Sequence, residues 1–182
     1  MFVRPYITLD LDQMAQAHEV TRRREALALK WGRKHGNNLK TMPEGLQLRG
    51  VQAEIAARVY MEPIHWHAVS EAQFLDDLPD LESRTLKVDC KSIGNPDHQL
   101  IAYKVHPDRA YLLVDCSAAP AGFWLCGWLW GKELMSRPKV ELQSGRPCWC
   151  APQDSLRDPA HLRNLYYAEQ LEVMNAHDPR SD

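Results

Sequence analysis

Between residues 85 and 91 the chain alternates: Leu86, Val88 and Cys90 fall on one side of an extended segment, and Thr85, Lys87, Asp89 and Lys91 on the other. That pattern predicts a short strand with one side entering a core. Further apolar runs follow at Gln99–Val105, Ala110–Cys116 and Phe123–Trp130, parted by a Gly-Asn-Pro-Asp turn and a His-Pro-Asp-Arg turn, so a sheet is expected. Gly127 interrupts the last run and predicts a bend, with Trp124, Trp128 and Trp130 read as packing residues rather than base-stacking ones. Val140–Cys150 reads as an edge pair.

Helical signals flank this region. Residues 14–34 are strong helix formers with a weak apolar stripe of Met14, Ala17, Val20, Ala26, Leu27 and Trp31, and Asp10 or Asp12 is the expected N-cap. Residues 48–60 predict a second helix, in which Gly50, Ala53 and Ala57 are small enough to let it lie close to a sheet. A short helix is expected over 132–135. A C-terminal one is expected over 159–175, capped by Asp158 or its neighbour, with Leu162, Leu165, Tyr166, Leu171 and Met174 as its apolar members. Residues 34–50 have no useful period and read as a loop, and Ile7–Leu11 as an entry segment or short edge strand.

Composition narrows the class. The chain has 182 residues, 45% hydrophobic and 25% charged, which suits one ordinary globular domain. Its formal charge of −2 argues against binding nucleic acid by bulk electrostatics alone. Charge is nevertheless uneven: Arg22, Arg23, Arg24, Lys30, Arg33, Lys34 and Lys40 crowd the N-terminal part, while acids gather at 71–89. The Arg22–Arg24 run reads first as a solvated face and second as a phosphate-contacting patch. No apolar run reaches the roughly 20 residues needed to span a bilayer. The first twelve residues hold two acids and no long apolar region, so a secretory signal is not expected. Five cysteines suit reduced thiols and a cytoplasmic location.

The acids carry the candidate chemistry. Asp80 precedes the 85–91 strand, where a fold-back would bring its carboxylate beside Asp89. Two carboxylates 4 Å apart repel by roughly 4 kcal/mol at an effective dielectric near 20, an arrangement that a divalent cation between them would relieve. Asp76, Asp77 and Glu82 are near enough in sequence to take the place of Asp80. A separate metal reading comes from His65-Trp66-His67 and Cys148-Trp149-Cys150, each pair placing two ligand-type side chains on one face of an extended segment. Because C-x-C is tighter than the usual spacing of zinc ligands, packing is the preferred reading of these pairs.

Pro79-Asp80, eight residues, then Asp89-Cys90-Lys91 resembles the signature of the PD-(D/E)xK nuclease superfamily. The 50–58 helix, with Glu54, is similar to the helix that carries an extra acid in many members, and the later apolar runs look like the remaining core strands. The resemblance implies an α/β (α+β) fold with a restriction-endonuclease-like mixed central sheet flanked by helices. It implies a single domain over 1–182: a helical N-terminal part at 10–45, a nuclease-like core at 46–135 and a C-terminal extension with a helix at 136–182. It implies hydrolysis of DNA phosphodiester bonds with Mg2+, or Mn2+ as substitute, held by Asp80, Asp89 and the Cys90 backbone carbonyl. Glu54 would serve a second metal position and Lys91 would orient water or offset charge on the phosphate. A homodimer is compatible, since cutting two strands commonly needs two sites. The competing reading is a catalytically silent nucleic-acid-binding or protein-interaction module that keeps the fold.

Overall fold

The computed structural model describes residues 2–30, 45–62, 78–83, 85–142 and 145–176, without the side chains of 28, 29 and 169–176. Its elements in order are β1 (Tyr6–Ile7), α1 (Leu11–Lys30), α2 (Leu46–Met61), β2 (Leu81–Glu82), β3 (Lys87–Ile93), β4 (Leu100–Ala102), β5 (Arg109–Asp115), β6 (Phe123–Trp130), α3 (Gly131–Met135), β7 (Lys139–Glu141), β8 (Pro147–Ala151) and α4 (Pro159–Ala176). Among the described residues no helix is long and apolar enough to cross a membrane.

The class is mixed α/β. The main sheet has the order β1-β6-β5-β3-β2, with β3 parallel to β5 and the other pairs antiparallel. On one face Ala53, Ala57 and Tyr60 of α2 and Leu162 and Tyr166 of α4 pack with Val88, Leu112, Val114 and Trp128. α1 lies against α2 through Ala17, Val20, Val51 and Ile55. Ala53 and Ala57 do what their size predicts and are buried against the sheet, whereas Gly50 takes no part in that contact: a Cβ there would meet nothing within 4 Å.

The other face departs from the expectation of a helix-flanked sheet. A second sheet, β4-β8-β7, covers it, together with the short α3. The segment expected as a core strand at 99–105 is three residues long and pairs with β8 instead. Parallel neighbours cannot be joined by a tight hairpin, so the chain between β3 and β5 must cross a face of the sheet. β4 is that crossing: Leu100 and Ala102 bury against Tyr111 and Leu113.

Two local signals are realised in detail. Asp10 is the N-cap of α1: its Oδ1 accepts the Gln13 N–H at 2.8 Å, and Gln13 Oε1 accepts the Asp10 N–H at 2.9 Å. At Gly127, with φ of 137°, β6 carries a bulge: Leu113 pairs with Gly127 and Val114 with Leu125, leaving Cys126 as the extra residue. The bulge inverts the alternation, so that Phe123 and Leu125 before it and Trp128 after it all face the helices.

Candidate active site

β3 presents its residues as the alternation predicts. Leu86, Val88 and Cys90 meet the helix-side core, while Asp89 stands opposite Tyr111 in the parallel register with β5 and Lys91 places its Nζ 5.5 Å from the Tyr111 ring centre. The side bearing Asp89 and Lys91 is not solvent, however, because the second sheet closes over its continuation at Ile93.

β2 is only two residues long, and its pairing with β3 ends at Leu81↔Val88. The next outward N–H of β3 is that of Cys90, and a side chain satisfies it: Asp80 Oδ2 accepts this N–H at 2.6 Å. The carboxylate so extends the ladder where the strand has stopped. Arg58 of α2 fixes the same point, donating from Nη2 to the Asp80 backbone carbonyl at 2.6 Å.

Asp80 is therefore held at the middle residue of Asp89-Cys90-Lys91. Its carboxyl is pushed up to about 7, mainly by burial and then by the charge of Glu54. Asp89 acts in the same direction, while Lys91 and the Cys90 N–H pull against it. Glu54, Asp89 and Lys91 thus all lie within electrostatic reach of Asp80. Burial, followed by the charges of Asp80 and Glu54, raises the Cys90 thiol well above its ordinary value, which favours the protonated thiol.

Each of the other two acids has a cationic partner. Glu54 is buried, not an exposed helix glutamate, and both of its oxygens accept from Arg24, at 2.9 and 2.8 Å. Asp89 is buried beside Arg109, whose Nη1 lies 3.3 Å from Oδ1. The sequence reading missed both arginines. Arg24 sits on the buried stripe of Gln13, Ala17, Val20 and Thr21, at helical spacing from Ala17 and Val20, and that spacing was the available signal. Arg22 and Arg23 are exposed and pair with Glu19, so the three-arginine run divides between a solvated face and the site. Arg109 carried no local signal, because its nearness to Asp89 depends on the β3–β5 register.

Glu82 is exposed and aligned with Lys87, away from Asp80, so it does not take the place of Asp80. Asp76, Asp77, His65 and His67 lie outside the described residues. Among the described residues no three His, Cys, Asp or Glu side chains converge as they stand on a metal position. The carboxylates of Asp80 and Asp89 are nonetheless hard oxygen donors, the type that Mg2+ takes one or two of while keeping several waters.

No family model matches the chain, and no curated protein or solved structure matches it either.

Proposed function

We propose that the chain is a metal-dependent nuclease of the PD-(D/E)xK type, hydrolysing DNA phosphodiester bonds at the corner formed by Asp80, Asp89, Lys91 and Glu54. The observation that carries the reading is the bond from the Cys90 N–H to the Asp80 carboxylate, which ties the strand-entry acid to the D-x-K strand. On this reading β3 and its neighbours form the core of a restriction-endonuclease-like fold, with the second sheet as an addition on the far face.

Asp80, Asp89 and the Cys90 carbonyl would hold Mg2+, or Mn2+ in its place. When bound, the ion supplies Lewis-acid polarisation of the phosphate and lowers the pKa of water. Lys91, two residues beyond Asp89, orients the attacking water or offsets the charge that builds on the phosphate oxygens. Arg109 holds the Asp89 carboxylate in place. Glu54, clasped by Arg24, acts on the corner through its field at Asp80.

The paired state of Glu54 and Asp89 favours a second reading, a silent module in which Arg24 and Arg109 neutralise acids that no longer bind metal. Incubation with plasmid, linear duplex and single-stranded DNA, with Mg2+ and with Mn2+, separates the two. The nuclease reading expects cleavage that needs the metal and is lost in Lys91→Ala. DNA binding without cleavage by the unmodified chain would establish the silent module.

A further inference from the structure

Away from the acidic corner, the second sheet carries two sulfurs side by side. Cys148 and Cys150 lie two residues apart on β8, so both project from the same side of the strand, opposite to Trp149 and Ala151, which face the core. Their Sγ atoms are 3.6 Å apart, and both are free thiols. Cys148 is buried and donates to the Val140 carbonyl at 3.4 Å, which leaves its sulfur to accept the S–H of the half-buried Cys150.

A disulfide is a poor fit to this pair. Residues i and i+2 of a strand are about 6.6 Å apart, and their Cβ atoms, projecting in parallel, keep about that spacing. Disulfides need Cβ atoms roughly 3.5–4.5 Å apart. β8 cannot contract to meet that demand without leaving its neighbours, since Cys148 is aligned with Val140 of β7 and Cys150 with Ile101 of β4. An ion between the sulfurs replaces one S–S bond of about 2.05 Å with two metal–sulfur bonds of roughly 2.3 Å each. Two such bonds in line set the sulfurs about 4.6 Å apart, wider than their present 3.6 Å, and rotation about the two Cα–Cβ bonds supplies that opening with the ladder intact.

We propose that Cys148 and Cys150 form a two-coordinate thiolate site for a soft monovalent cation of the Cu(I) class. On binding, each S–H releases its proton to solvent as its sulfur bonds the ion, and no electron is transferred. Soft sulfur donors select Cu(I), whereas the oxygen donors at Asp80 and Asp89 suit hard ions, so the two sites do not compete. The site is independent of the nuclease reading.

The test is anaerobic titration of the reduced, metal-free full chain with Cu(I) against a chromophoric Cu(I) chelator. A parallel titration uses Ag(I), which is redox-inert, and follows the ultraviolet thiolate-to-metal band. One equivalent of each ion is expected, retained in Cys126→Ala and weakened at least tenfold in Cys150→Ser, whose half-buried position spares the fold, and in Cys148→Ala. Uptake that is unchanged in Cys150→Ser, or absent in the unmodified chain, overturns the proposal. So does tight stoichiometric Zn2+ that Cu(I) fails to displace. Clean formation of a 148–150 disulfide by glutathione disulfide in the folded chain would overturn the geometric argument.

Discussion

Arg24 reaches from α1 to α2 and grips both carboxylate oxygens of Glu54, at 2.9 and 2.8 Å, with both side chains largely withdrawn from water. Removing one member of such a pair strands the other charge in a low-dielectric setting, whereas replacing both with apolar residues of similar size is often neutral. Glu54→Ala is expected to destabilise the chain by about 3–5 kcal/mol in urea unfolding. The double replacement Arg24→Met, Glu54→Met should recover most of that loss. A loss of cleavage in Glu54→Ala alone therefore does not assign Glu54 a chemical role. A loss in the well-folded double variant does.

Asp80 gives the chain a pH dependence of definite sign. Its folded carboxyl titrates near 7 because of burial and the neighbouring Glu54 charge, against about 3.9 for an unperturbed aspartate. Between those values the folded chain keeps a proton that the unfolded chain has lost. The contribution of Asp80 is therefore fully present below about pH 4 and is lost as pH rises through about 7. Asp80→Asn keeps an acceptor for the Cys90 N–H and cannot ionise. Its melting temperature is expected to match that of the unmodified chain near pH 3 and to exceed it by a gap that widens toward pH 8. A gap that stays constant with pH would contradict this account.

Divalent metal should stabilise the folded chain, more at pH 8 than at pH 6, because Asp80 must ionise to bind. At about 100 times its Kd, Mg2+ adds about 2.7 kcal/mol through mass action. Asp89→Asn removes a donor and is expected to abolish the gain, while Lys91→Ala leaves the gain and removes cleavage. A thermal shift series in Mg2+ at the two pH values checks both.

Gly131, where β6 passes into α3, has no room for a side chain: a Cβ there would overlap the backbone carbonyl oxygen of His106. Because a backbone atom cannot swing aside, Gly131→Ala is expected to cost about 2 kcal/mol or more in urea unfolding, in line with overpacked interiors. A stability within 0.5 kcal/mol of the unmodified chain, roughly the range of neutral surface substitutions, would contradict the contact.

What the sequence made legible was local. The alternation at 85–91, the Asp10 cap, the close packing of Ala53 and Ala57 on α2 and the break at Gly127 each depend on neighbours within a few positions, and each takes the expected form. The acidic corner was legible as an ordered set of residue types. Its counter-charges were not, because the pairing of Arg109 with Asp89 requires β5 to lie parallel to β3, a relation with no signature inside either strand. The same holds for β4. Its short apolar run is as consistent with the central sheet as with the second one, and only the demand for a crossover between parallel neighbours decides the matter.

The bulge at Cys126–Gly127 has a consequence for the far end of the chain. By shifting the phase of β6 by one position, it turns Trp128 toward the helices, where the indole N–H donates to the Asp158 carbonyl at 3.1 Å and the Trp128 backbone exchanges bonds with Arg157 at 3.0 and 2.9 Å. Those are the residues just before α4 begins. One surplus residue in the middle of a strand thus sets the berth of the last helix: the same strand paired without the bulge would present Leu129 there, with no side-chain N–H to offer.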